Sequence, residues 1–234
     1  LAAMGAVPMA SLLSLTLPKA DSAWLRDFST GLGAVCTETG LPLVGGDTTR
    51  GPLAITVTVM GSTPTDQFMT RSGAESGDRL CVSGTPGDAA AGLEILKGDL
   101  SVADASISAV LAARFTRPVA RLILGQTLRD IASACIDISD GLLADARHLA
   151  TCSGVAIEVD SNLLPLSDAL CSVVDMQQAK DWALAGGDDY ELLFTLPCDT
   201  PLPVGCTQIG RVVSGSGISC DRVPERAGYD HFTH

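Results

Sequence analysis

Two rhythms of apolar positions run along the chain. Between residues 21 and 39, Trp24, Phe28, Leu32 and Val35 recur at helical spacing, Asp21 stands at a capping position and Gly40 at a stop, so the spacing predicts a helix. Ahead of it, residues 1–18 carry no charge, and Pro8, Pro18 and interspersed Ser and Thr argue against a membrane span or signal peptide. The pattern there predicts a short buried helix and then a strand over 11–17, with Leu13, Leu15 and Leu17 on one face. Leu53, Ile55, Val57 and Val59 alternate with Ala54, Thr56 and Thr58, which predicts a half-buried strand. Between these lies LPLV and a Gly-rich turn at 45–51. The polar stretch 61–78 reads as a linker, with a domain boundary near residue 64.

The second part, 65–234, alternates strands and helices. It opens with a strand at RLCVSG, a turn over 84–88 and a helix through Lys97. Two further helices fit 102–115 and 118–134, the latter with Pro118 in its first turn. CIDISDG reads as a strand ending in an acidic turn, with LLADARHLATCSG as the helix behind it. VAIEVD, DYELLFTLP and CTQIGRV read as strands and DMQQAKDWALAGG as a helix. The class is α/β or α+β, in two domains, 1–64 and 65–234. Gly-Gly-Asp before a strand occurs at 45–47 and again at 186–188, a weak hint of duplication.

Charge narrows the chemistry. With 15 basic and 27 acidic residues the net charge is −12, so the chain repels phosphate backbones and is not expected to bind nucleic acid. An acidic chain that handles phosphates needs divalent cations to bridge like charges. None of the lysines (Lys19, Lys97, Lys180) lies in a phosphate-binding G-x-x-x-x-G-K-[ST] loop, and no protein-kinase, dinucleotide, zinc or serine-nucleophile motif is present. The eight cysteines lack C-x-x-C spacing, and most sit in apolar stretches. They read as small buried hydrophobes kept reduced in a cytosol. Leu1 is not an initiator, which predicts a fragment whose natural start is missing.

Chemistry then rests on carboxylates in three turns. Gly45-Gly46-Asp47-Thr48-Thr49 can cradle a phosphate and a hard cation, or be a simple turn with an Asx bond. Asp137 and Ser139 share one side of a strand end and Asp140 begins the turn into a helix. They place oxygen ligands at the mouth of an α/β layer, although Ser139 or Asp140 could instead cap the helix. Asp188, Asp189 and Glu191 crowd a Gly-rich exit and repel unless something positive sits between them; a solvated turn is the alternative. Arg71 in the linker could clamp a polyphosphate or be an ordinary surface arginine. Tyr229 could stack on a flat ligand or pack the tail.

Taken in order, LAAMGA, VGGDTTRGPL, TRSGA, SGTPGDAAAGL, IDISDGLLAD, GGDDYELLFT and GYDHF closely resemble the thiamine-monophosphate kinase family of the aminoimidazole-ribotide-synthetase-like superfamily, over essentially the whole chain. The resemblance implies transfer of the γ-phosphoryl group of ATP to thiamine monophosphate with Mg²⁺, by a cytoplasmic homodimer paired through its N-terminal domains. It implies that Gly46, Asp47, Arg71 and Ser139 contact ATP, that Asp47, Asp137 and Asp140 hold Mg²⁺, and that Asp188 and Tyr229 face thiamine monophosphate. No general base is implied. The family usually has Glu where this chain has Asp188. Its N-terminal portion, with further aspartates and a substrate-contacting histidine, precedes the position of Leu1, so a polypeptide starting there is expected to have little kinase activity. A non-catalytic nucleotide-binding fragment and another ATP-using enzyme of the superfamily are the alternatives.

Overall fold

The computed structural model describes residues 1–225 and residue 228. The first sixty residues form a three-stranded sheet in which β1 (Val7–Leu17) is central, parallel to β2 (Leu43–Arg50) and antiparallel to β3 (Ala54–Ser62). Helix α1 (Ser22–Thr39) connects β1 to β2. Its Asp21 cap accepts hydrogen bonds from the amides of Ala23 and Trp24 at 3.0 and 3.2 Å, and Gly40 ends it with a φ of 65°. Both are where the sequence places them, and Trp24 stacks on Phe28 with ring centroids 5.2 Å apart.

Three expectations for this region change. Residues 2–4 form only a single 3₁₀ turn with none of its residues buried, and β1 starts at Val7 rather than near Ser11. Pro8 pairs with Gly61 of β3 beside a register shift, and β2 does not pair with β1 before Ser11, so the proline sits where one side of β1 has no strand partner. The Gly45-Gly46-Asp47 segment is not a turn but the interior of β2. Gly46, with a φ of 150°, is needed there because a Cβ would lie 1.9 Å from the carbonyl oxygen of Leu13 on β1. Finally, β3 is exposed at every residue instead of half-buried, as is β2. A three-stranded layer with one helix has too few neighbours to cover it, so Val44, Ile55, Val57 and Val59 stay open.

The second sheet has six strands in the order β5-β7-β4-β8-β6-β9: β4 (Arg79–Ser83), β5 (Ala134–Asp137), β6 (Ala156–Val159), β7 (Leu192–Leu196), β8 (Cys206–Val213) and β9 (Gly217–Cys220). Neighbours are antiparallel except β6 and β9. Alternation sends Leu80, Val82, Ile136 and Leu193 to one face, against Leu142 and Leu149 of α5 (Leu142–Ser153) and Leu184 of α7 (Met176–Ala185). Cys81, Cys135, Leu192 and Phe194 fill the other face under Leu128 of α4 (Leu122–Leu128), Met69 and the first residues of the chain. All five residues of β7 are buried, as a strand covered on both sides must be. Outside the sheet, α2 (Asp88–Lys97), α3 (Ala105–Thr116) and α6 (Asp168–Val173) form a smaller core around Leu111 and Leu170.

The long helix expected over 118–134 is only α4. Pro118 disfavours helical backbone at Arg117, and the chain runs irregularly to Arg121, whose side chain is held elsewhere. Of the eight cysteines, all unpaired, only Cys81 and Cys135 are buried, and Cys152, Cys171 and Cys198 are exposed. Cys152 and Cys171 sit on the outer faces of short helices whose apolar sides are already filled. Among the described residues no helix is long and apolar enough to cross a membrane.

Candidate functional site

The acidic turn after β5 and the Gly-Gly-Asp-Asp turn after α7 are bonded side by side. The amide of Asp188 donates to the carbonyl of Ser139 and that of Tyr190 to the carbonyl of Ile138, each at 2.9 Å, while Ile138 donates to the carbonyl of Glu191 at 2.9 Å. The approach is close enough that a Cβ on Gly187 would lie 2.5 Å from the Ser139 carbonyl oxygen. Neither Ser139 nor Asp140 caps α5. The cap position is Gly141, and the buried Asp145 accepts hydrogen bonds from the amides of Ser139 and Asp140 at 3.0 and 3.2 Å. Burial pushes the Asp145 carboxyl up to about 6, with the charges of Asp140 and Asp137 acting in the same sense. Asp145 thus shapes the turn from behind. Among the described residues, the carboxylates of Asp137 and Asp140 and the hydroxyl of Ser139 have no hydrogen-bond partner.

The second turn is unusual in its backbone. Asp188 and Tyr190 both have left-handed φ, 64° and 51°, though neither is glycine. Asp188 accepts a 3.2 Å bond from the Tyr190 hydroxyl. Burial, and then the negative charges of Asp188, Asp137 and Asp140, hold that phenol above its ordinary value, so the three carboxylates and the ring are neighbours. The crowded acids escape mutual repulsion by facing different ways. Asp189 is buried and accepts from the amides of Gly87 and Ala89, at 2.7 and 3.3 Å, at the start of α2. Glu191, fully buried, receives Arg114 at 2.7 Å, Arg121 through Nε at 2.7 Å and again through its Nη2, and the hydroxyl of Ser83. Burial raises the Asp189 carboxyl to about 7. For Glu191 burial also pushes upward, but the bonds from Arg121, Ser83 and Arg114 prevail and lower it. Arg114 and Arg121 were missed in the sequence; the signal was two arginines in otherwise apolar stretches of an acidic chain.

These turns open into a cavity of about 1020 Å³ between α2 and α7. Ser139, Asp140, Asp188 and Tyr190 line one end, and Phe115 and Trp182 supply flat apolar wall. Its described lining holds five carboxylates, those of Glu94, Asp140, Asp181, Asp188 and Glu225, and no lysine, arginine or histidine. Asp137 lines a smaller space of about 310 Å³ on the other side of Tyr190, shared with Arg121, with Val35 of α1, Leu41 just after it and Val59 of β3. Tyr190 borders both.

Four of the sequence candidates therefore come together: Asp137, Ser139, Asp140 and Asp188. Gly46 and Asp47 are exposed on β2 and line neither space, and the Asp47 carboxylate accepts the amide of Thr48 at 2.8 Å. Arg71 is exposed and also lines neither; its carbonyl accepts from Ser153 at 3.2 Å. Tyr229 lies outside the described residues. Among the described residues no group of three acidic, histidine or cysteine side chains is placed to hold a metal by itself. The donor set nevertheless suits Mg²⁺, a hard cation that takes one or two carboxylates and completes its shell with water and phosphate oxygens. Asp137 and Asp140 offer such oxygens without protein partners of their own.

Residues 1–63 match the family model described as AIR synthase related protein, N-terminal domain. The chain is 50% identical to the thiamine-monophosphate kinase of Escherichia coli K12 over 99% of its own length and 76% of that relative. A crystal structure of thiamine-monophosphate kinase from Stenotrophomonas maltophilia superposes with a TM-score of 0.88 at 42% identity, covering 97% of this chain and 75% of that one. A structure described as AaThiL complexed with AMPPCP and TMP gives a TM-score of 0.91 at 38% identity, covering 99% of this chain and 76% of that one.

Proposed function

The chain belongs to the thiamine-monophosphate kinase family, and on that premise we propose that the acidic cavity binds thiamine monophosphate and that the β5 turn presents it, with Mg²⁺, to the γ-phosphoryl group of ATP. The observation that carries this assignment is the lining: among the described residues it holds five carboxylates, two of which (Asp181 and Glu94) pair with Arg222 and Lys97 outside it, no lysine, arginine or histidine, and the rings of Phe115 and Trp182. Thiamine monophosphate joins a cationic thiazolium and a flat aminopyrimidine to a phosphate. The acidic aromatic wall attracts the thiazolium through charge and cation–π contact, offers flat rings on which the neutral aminopyrimidine stacks, and repels the phosphate. The phosphate is then drawn to the end of the cavity where Asp137, Ser139 and Asp140 would hold a divalent cation. Asp137 and Asp140 would hold Mg²⁺ there, and the cation would supply the positive charge that phosphoryl transfer between two anions needs.

What the chain itself contributes is placement. Phosphoryl transfer needs in-line alignment of two anions more than it needs a proton acceptor, so no general base is assigned. Asp188 and Tyr190 hold the acceptor at the mouth of the cavity, and the α2 and α7 walls keep bulk water from its rings. Gly46, Asp47 and Arg71 are assigned to the nucleotide side and Asp47 also to Mg²⁺, on the motif order alone. A homodimer paired through the first sheet is supported by the open apolar side chains of β2 and β3. The division into 1–64 and 65–234 is supported by the separate strands of the two sheets. We place the enzyme in the cytoplasm, where ATP is available.

The test is coupled ADP release by the protein expressed from its complete reading frame, with Mg²⁺ and ATP. ADP formation dependent on thiamine monophosphate is expected. ADP release with a different phosphate or carboxylate acceptor, and none with thiamine monophosphate, would overturn the assignment.

A further inference from the structure

We propose that Glu191, with Asp189, is a positioning residue: the two side chains anchor, from outside the cavity, the left-handed turn that presents Asp188 and Tyr190 to the substrate. The inference rests on the reading of the cavity given above. Along residues 188–191 the side chains alternate: Asp188 and Tyr190 face the cavity, while Asp189 and Glu191 face the protein. Aspartate tolerates the left-handed backbone found at Asp188, but a bulky aromatic such as Tyr190 holds it when its surroundings impose it. The surroundings here are the backbone bonds to Ser139 and Ile138 and, through side chains, the two anchors. Asp189 is tied to the amides of Gly87 and Ala89. Glu191 is tied to three separate elements: Ser83 at the end of β4, Arg114 on α3 and Arg121 before α4.

The anchors are themselves braced. Ser83 accepts the amide of Leu192 at 2.9 Å, so the same hydroxyl that donates to Glu191 also fixes the first residue of β7. Asp88, 3.8 Å from Arg114, receives the hydroxyls of Thr85 and Ser167, each at 2.6 Å. Glu191 lines neither cavity, so it acts through the turn and not on the substrate. Its length and charge decide where the Asp188 carboxylate and the Tyr190 ring stand.

The experiment uses the protein from its complete reading frame and measures KM for thiamine monophosphate, KM for ATP and kcat. In Glu191→Gln the amide keeps the shape but loses the charge that pairs with two arginines. A positioning role predicts a rise in KM for thiamine monophosphate of about tenfold or more with KM for ATP unchanged. A merely structural role would lower the active fraction, and hence kcat, with both KM values unchanged; that result overturns the proposal. If Glu191→Gln does not fold, Arg114→Lys decides. Arg114 lines neither cavity, and the lysine keeps the charge but loses the fork. A selective KM rise of about threefold or more supports the proposal, and unchanged KM values refute it. Should the wild-type protein use another acceptor, the functional reading fails, and the same comparison made with that acceptor still decides the role of Glu191.

Discussion

Gly187→Ala tests whether the two acidic turns work as one unit. The backbone at Gly187 is not left-handed, so alanine brings no intrinsic strain, only a methyl group. That methyl would stand 2.5 Å from the Ser139 carbonyl oxygen. Carbon and carbonyl oxygen ordinarily approach no closer than about 3.3 Å, so the turns must part by most of an ångström. The bond from Asp188 to Ser139, 2.9 Å now, ends on the same oxygen the methyl would meet, and the 2.9 Å bond from Tyr190 to Ile138 follows it along the turn, so the two lengthen together. Overpacking of this kind costs about 1–3 kcal/mol. For a chain of this size that is a fall in Tm of roughly 2–12 °C. The catalytic loss is larger, because a misplacement near 1 Å can cost about a hundredfold in rate. Differential scanning fluorimetry and kcat/KM for thiamine monophosphate measure the two effects. Gly33→Ala, inside α1 with no atom within 4 Å of the added carbon, is the control and leaves both unchanged or raises Tm slightly. Wild-type Tm and kcat/KM in Gly187→Ala would refute the close coupling of the turns.

Trp182→Ala removes the largest flat wall of the cavity; loss of a cation–π contact worth about 0.5–2 kcal/mol raises KM for thiamine monophosphate roughly 2- to 30-fold, and Trp182→Phe recovers most of it. An unchanged KM would remove the indole from the binding site. Asp140→Asn takes away one of two free carboxylates, and the Mg²⁺ concentration giving half-maximal rate should rise about tenfold or more in a metal titration; no shift would place the cation elsewhere. Asp189 has its carboxyl raised from 3.8 to about 7, so the folded state keeps a proton there that the unfolded chain has released. The stability this group contributes is present at acid pH and lost as pH rises through about 7. The Tm advantage of wild type over Asp189→Asn should therefore be larger at pH 5 than at pH 8, and a pH-independent difference would contradict the assigned protonation.

Local signals in the sequence were reliable where the structure is local. Asp21, the apolar spacing and Gly40 bound α1 almost to the residue, because caps and periodicity act within one turn. The acidic turn at 137–141 was likewise visible, although its cap reading failed: Asp145 supplies the acceptor from within the helix. Gly45-Gly46 was read as a turn because glycine pairs punctuate loops, whereas here the glycine answers to a strand some thirty residues earlier. The exposure of β3 could not be read from its alternation, since a strand's pattern reports which face is apolar and not what covers it. Arg114 and Arg121 escaped for the same reason: their partner, Glu191, lies 77 and 70 residues away. Helix α6 has six residues and β9 four, too few for a period to declare itself.

The alternation at residues 188–191 separates holding from choosing. On the proposed reading, the side chains that anchor the loop face away from the ligand, and those that would meet it bond, among the described residues, only to each other. A lineage can therefore lengthen, shorten or replace the side chain at 188 and retune selectivity without rebuilding the scaffold, whereas drift at 189 or 191 dismantles it. Evolutionary freedom on this loop is thus expected to follow residue parity.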